Sequence, residues 1–124
     1  MMKDLFLQND ILGMAMQASA VRNDVISNNI ANAEVPGYKK KAVRFETYLN
    51  EALQSARRTG RLDLSRIRPT LQTEHTGYSY RIDGNNVDIE QEMVDLYQNA
   101  VKYDTMAGSV INNYKRINLA IAAR

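Results

Sequence analysis

The chain has no cysteine, no tryptophan, a single histidine and two prolines in 124 residues. Without cysteine there is no disulfide, no thiolate ligand and no thiol nucleophile, and either redox compartment is tolerated. The lone His75 cannot build a two-histidine metal motif, and its Glu-His-Thr-Gly setting reads as a surface loop. No apolar run approaches the ~18 residues of a membrane span. The glycines are scattered and form no phosphate-cradling loop. Asp83, Asn85, Asp88 and Glu90 miss the calcium-loop spacing, because no glutamate stands at the loop's last position. A turn followed by a helix cap explains them. Glu90 and Glu92 fall on different sides of a helix and cannot work together as an acid–base pair. The expectation is a protein that is not an enzyme, with no catalytic residue, no cofactor and no metal. A net charge of +2 gives no argument for nucleic acid.

What is present is a long apolar seam. Ile89, Met93, Leu96, Ala100, Tyr103, Ala107, Val110, Tyr114, Ile117 and Ile121 follow one another at alternating gaps of four and three. That step predicts a helix over 87–122, roughly 50 Å long at about 1.5 Å per residue. With 44% apolar residues the chain supports only a modest core, too small to cover such a rod. The seam therefore asks for another long helix. Near the start, Leu7, Ile11, Met14, Ala18, Val21 and Val25 repeat the same step, and Asn28 and Asn32 continue it. A helix over 10–33 is expected, capped by Asn9 or Asp10 and ended by Pro36-Gly37. Asn28 and Asn32 are either a frayed, solvent-facing helix end or amides that bond across to another helix and set register.

Between the helices, Val43, Phe45, Tyr48, Leu49, Ala52 and Leu53 suggest a short helix ending in Arg57-Arg58-Thr59-Gly60. Residues 60–77 keep no period, and Tyr78 to Ile82 alternate like a short strand closed by Asp83-Gly84. Asp88 is the expected cap of the last helix, with Gln91 completing a capping box in form. Residues 39–81 carry ten Lys or Arg against four acids, whereas residues 1–38 and 82–124 each sum to −2. The basic middle is either a solvated connector or a surface that meets an acidic neighbour. Tyr97, Tyr103 and Tyr114 lie on the last helix, as ordinary packing or as part of an intersubunit surface. The fold class that results is mainly α. Two long terminal helices form an antiparallel coiled-coil-like pair, and the irregular middle (34–86) holds a short helix and a short β element, all in one domain. The surplus apolar face on the last helix predicts neighbours.

Two segments carry a family pattern. Asn28-Asn29-Ile30-Ala31-Asn32-Ala33-Glu34-Val35-Pro36-Gly37-Tyr38-Lys39 resembles the N-terminal signature of the flagellar rod, hook and hook-associated axial proteins, with Val35 where Thr is usual. Asp83-Gly84-Asn85-Asn86-Val87-Asp88-Ile89-Glu90-Gln91-Glu92-Met93 resembles the C-terminal signature of the rod subset. The short length, with almost no insert between the motifs, is similar to the proximal rod members. The matching positions are Asn28, Asn29, Asn32, Pro36, Gly37 and Tyr38 in front, and Gly84, Asn85, Val87, Glu90, Glu92 and Met93 behind.

The resemblance implies a structural subunit that polymerises through its terminal helices into a tube, transmits torque and surrounds the export channel. It implies as partners the chain itself, other proximal rod proteins, the rod-base adaptor protein and the flagellar type III export apparatus. It places the protein on the periplasmic side of the basal body, exported without a cleaved signal. The opening Met1-Met2-Lys3-Asp4 fits that expectation, since it lacks a basic start, a long apolar core and a cleavage site. The alternatives are a soluble two-helix adaptor or chaperone-like binding module, and an enzyme of unfamiliar type.

Overall fold

A computed structural model describes residues 2–65, 67–75 and 81–123. Three helices and a two-stranded antiparallel sheet follow in the order α1 (Met2–Ala31), β1 (Lys41–Arg44), α2 (Glu46–Thr59), β2 (Thr70–Thr73) and α3 (Ile89–Ala122). The chain is mainly helical, and its two long terminal helices pack against each other, as the two seams predict. Cross-links at Asn9–Asn113, Ser19–Asn99 and Asn29–Glu92 show that the pair is antiparallel.

The first helix begins earlier than expected. Asn9 and Asp10 lie inside α1 and cap nothing, because the Asn9 side chain is turned to Asn113 of α3. A tertiary hydrogen bond replaces the local one that would have started the helix at residue 10. At the other end the chain leaves α1 through turns, with Asn32 N–H bonding to the carbonyls of Asn28 and Asn29, before Pro36-Gly37 reverses it. Gly37 has φ +71°, the left-handed region that glycine reaches without a Cβ clash.

Val43 belongs to β1 and not to the short helix. Its strand pairs in register with β2 (Lys41 with Thr73, Val43 with Leu71), and a buried Phe45 separates it from α2. Gly60, at φ +70°, ends α2 by donating its N–H to the Ala56 carbonyl at 2.8 Å. The strand expected at 78–82 lies mostly outside the described residues. Its last two members, Arg81 and Ile82, form a bend and turn, because Arg81 is drawn into the end of α1.

The apolar core is small. Ala18, Phe45 and Ile67 are buried together, with Met14, Ala15, Leu49, Ala52 and Leu64 packed around them. Met14 and Ala18 of the α1 seam thus serve α2 and the loop after it. On the face of α3 turned into the structure the buried residues are polar, Glu92, Asn99 and Asn113, with apolar side chains such as Met106 half-buried among them. These share one heptad phase, one position away from Met93, Ala100 and Tyr114. Of the expected α3 seam, Leu96, Ala107, Val110 and Ile117 are half-buried, while Ile89, Met93, Ala100, Tyr103, Tyr114 and Ile121 are exposed. On α1, Val25 is buried, Ile11 and Val21 are half-buried and Leu7 is exposed. The helices pair as expected, by a neighbouring face of α3.

Candidate functional site: the junction of the two signature segments

The two signature segments stand more than forty residues apart in the chain and meet where α1 ends and α3 begins. Asp88 caps α3 as expected, its carboxylate accepting from the N–H groups of Glu90 and Gln91. The capping box does not close, because the Gln91 amide reaches forward to Asp95 at 2.8 Å. The cap places Glu92 one turn into α3, facing α1.

Asn29 is the centre of the junction. It is fully buried, and its amide nitrogen donates to Glu92 Oε2 at 2.9 Å and to the Lys41 carbonyl at 2.8 Å. Its amide oxygen accepts from the Lys41 N–H at 3.0 Å and from the Tyr38 hydroxyl at 3.1 Å. Both ends of the amide are satisfied, which is what allows a polar side chain to be buried at little cost. Glu92, also fully buried, uses its other oxygen for an ion pair with Lys40 Nζ at 2.6 Å. Burial alone would lower the Lys40 pKa, but the hydrogen bond to Glu92 and the charges of Glu92, Glu74 and Asp95 hold it above 10.5. Burial and the Glu92 charge push the Tyr38 phenol up.

Asn85 closes the end of α1. Its amide nitrogen lies 3.0, 3.0 and 2.8 Å from the carbonyls of Asn32, Ala33 and Val35, in the turns that follow α1. Its amide oxygen accepts from the Val87 N–H at 2.8 Å. Gly37 N–H donates to the Asp83 carbonyl at 2.8 Å, and Lys39 Nζ reaches the Gly84 carbonyl at 2.5 Å. Gly84 has φ +78°, and a Cβ there would sit 3.8 Å from the Gly37 Cα, so two glycine turns lie back to back. Arg81 donates to the Ala33 carbonyl and pairs with Glu34 and Asp83. Asn86 joins the sheet to the junction, accepting from Lys40 N–H and donating to the Glu74 carbonyl.

Most of the matching positions therefore meet. Asn29, Asn32, Gly37, Tyr38, Gly84, Asn85, Val87 and Glu92 all contribute, through side chain or backbone. Asn28 stays exposed, its side chain bonded among the described residues to Asn32, just past its helix, and to Tyr38. The amide that bonds across to α3 is Asn29, one position from the pair that the seam points to, and its phenolic partner is Tyr38 and no tyrosine of α3. Pro36, Glu90 and Met93 are exposed and outside the junction.

Reading single motifs missed Lys40, Arg81, Asn86 and the polar ridge of Ser19, Asn99, Asn9 and Asn113. Asn99 and Asn113 follow Glu92 at multiples of seven, a spacing that marks one side of α3 but does not say that this side is buried. Ser19 Oγ donates to Asn99 Oδ1 at 2.7 Å, and Asn99 returns a bond to the Ser19 carbonyl at 2.8 Å.

Charges beside the junction compensate one another. A cavity of about 310 Å³ between α1, β1 and α3 is lined by Arg22, Lys40, Glu46, Glu92 and Lys102 among others. Arg22 pairs with Glu46 at 2.7 Å. Burial would raise the Glu46 pKa, but the Arg22 bond and charge, with help from Lys102, hold it below 4.5. Among the described residues no cluster of His, Cys, Asp and Glu could hold a metal ion, and no helix is long and apolar enough to cross a membrane. The arrangement is a polar clasp that joins two helix ends and fixes their register.

The family model for flagella basal body rod proteins matches residues 10–39, which run through α1 and its closing turn. The chain is 34% identical to the flagellar basal body rod protein FlgB of Bacillus subtilis, over 74% of this chain and 75% of that protein. It is 28% identical to FlgB of Borrelia hermsii over 90% of this chain and 93% of that protein, and 27% identical to FlgB of Borreliella burgdorferi over 97% and 99%. With a clasp built from both signature segments and relatives matched along most of their length, the chain belongs to the family of flagellar basal body rod proteins FlgB.

Proposed function

We propose that the chain is a subunit of the proximal rod, packing through α1 and α3 into a helical tube that transmits torque and surrounds the export channel. Its partners are further copies of itself, the other proximal rod proteins and the adaptor protein at the rod base. It reaches the periplasmic side of the basal body through the flagellar type III export apparatus, without a cleaved signal. One observation carries this reading. The α1–α3 pair is closed within the chain, and six of the ten residues of the α3 seam remain exposed from Ile89 to Ile121, Met93 at 54% and Ile121 at 62%. Exposed apolar and aromatic side chains recurring along both ends of a 34-residue helix are more than a lone subunit of this size leaves uncovered without use. Heterologous contacts along such a line extend as filaments and do not close as dimers.

Met93→Asp and Ile121→Asp place charges on the seam at exposed positions, so the helix pair stays intact. We expect both variants to lose pelletable assemblies and to fail to restore swimming in a strain lacking its own subunit. Wild-type behaviour in both tests removes the seam from assembly. A wild-type species locked at one finite size returns the adaptor reading.

A further inference from the structure

Opposite the polar ridge, α3 carries a second, exposed stripe, whose Val101 and Asp104 also border clefts against α2 and α1. Glu90, Val94, Tyr97, Val101 and Asp104 follow at gaps of four and three, and Ile111 continues the line one heptad on. This periodicity puts them on one side of the helix, away from Glu92 and Asn99. All are exposed, Tyr97 at 72%, and neither Glu90 nor Asp104 has a side-chain partner among the described residues. The stripe is an apolar run with a carboxylate at each end.

The end of α2 is its complement. Of the ten basic residues of the middle, Lys40 is paired with Glu92 and Arg81 with Glu34 and Asp83 inside the chain. Arg57 and Arg58 in the last turn of α2, and Arg61 after the Gly60 cap, are exposed and in no ion pair among the described residues. Leu53 is exposed four residues before Arg57, on the same edge of the helix. Each surface thus sets an exposed apolar side chain beside charge of one sign, and the signs are opposite.

Resting on the rod-subunit reading, we propose that the α2 end of one copy docks on the outer stripe of α3 of a second copy. Leu53 lies against Tyr97 and Val101, and the guanidinium groups of Arg57, Arg58 and Arg61 gather at Asp104, one turn beyond Val101, with Glu90 adding negative charge at the far end of the stripe. A second copy is the fitting occupant because both halves of the contact belong to this chain, carry opposite charge and form no ion pair with each other inside it. Guanidinium groups suit the site, since they bond carboxylates in a fork and stack on a tyrosine face. The contact joins two different surfaces, so it is heterologous and leaves both ends of an assembly free to grow.

The test uses two charge-reversed chains, Arg57→Glu/Arg58→Glu/Arg61→Glu and Glu90→Lys/Asp104→Lys, with folding checked by circular dichroism. Association is read by sedimentation against concentration and sodium chloride. Wild type is expected to form larger species that weaken as salt rises. Each variant alone should need at least tenfold more protein to associate, and an equimolar mixture should recover, because each reversed surface then finds its opposite on the other chain. Wild-type association in both variants overturns the contact; if Met93→Asp still loses association, the seam reading stands. Two defective variants that fail to recover on mixing overturn the pairing of these surfaces. A wild type that remains monomeric at every concentration overturns self-docking altogether, whereas the rod-subunit reading is judged separately by restoration of swimming.

Discussion

The two ends of the α1–α3 pair are built differently. Where α1 ends and α3 begins, Asn29, Tyr38, Lys40, Asn85 and Glu92 bind one another and the backbone, and Asn29, Asn85 and Glu92 are fully or almost fully buried. Where α1 begins and α3 ends, one side-chain bond among the described residues crosses the pair, from Asn113 to Asn9 at 2.9 Å, with Phe6, Leu7, Leu119 and Ile121 exposed around it. The first end is complete within the chain. The second has more apolar surface than partners, the composition of a surface that becomes ordered on association. The difference teaches that the signature residues mark an internal clasp, and that the surfaces left for neighbours lie further along the helices and on α2.

Substitutions at the clasp should therefore cost much more than substitutions at the open end. The largest effect is expected for Lys40→Met, which leaves the buried Glu92 carboxylate without its cation. A loss of about 3 kcal/mol by urea unfolding is expected, and a loss no greater than that of an exposed lysine would mean that the carboxylate escapes to water. The same pair has a pH signature. The Lys40 pKa is raised above 10.5, so its contribution is fully present below that value and fades as pH rises through the folded pKa. The stability gap between wild type and Lys40→Met should accordingly close in strong alkali, and a constant gap would show that charge is not its source.

Asn85→Ala comes next, since it strips the carbonyls of Asn32, Ala33 and Val35 of their shared donor. About 2 kcal/mol is expected, together with faster amide exchange over the last turn of α1. Unchanged exchange there would show that solvent caps the helix equally well. Gly37→Val forces a β-branched residue into φ +71° where a Cβ meets nothing within 4 Å, so only backbone strain opposes it. A cost of about 1–2 kcal/mol is expected, and a crystal structure of the variant with φ still positive and stability unchanged would remove the strain argument.

The smallest effect is expected at the open end. Asn9→Ala/Asn113→Ala removes both members of the cross-link there, and removing both partners of a hydrogen bond is close to neutral. A change within about 1 kcal/mol in the same urea assay is expected. A loss as large as that of Lys40→Met would make the two ends equivalent and end the comparison.

Much of this molecule was legible locally. The four-three step marked both long helices, Pro36-Gly37 the end of the first, Asp88 the cap of the last and Gly60 the end of the short one. Each of these rests on physics within a few residues: side-chain periodicity, the missing N–H of proline, the φ freedom of glycine and the reach of an aspartate to the next turn. The strand pair was not legible, because Lys41–Arg44 and Thr70–Thr73 are four residues each and find one another across α2.

By itself, then, the sequence determined how many long helices there are, where they stop and that apolar surface would be left over. Only the tertiary structure decided which face of α3 is turned inward, a matter of one position in the heptad. A periodic pattern ranks the apolar seam first. The polar ridge is buried in its place because Glu92 finds Asn29, 63 residues away, and Lys40 from the strand between. A buried carboxylate is tolerable only when all its partners arrive together, and that condition depends on distant residues meeting, which no local pattern contains.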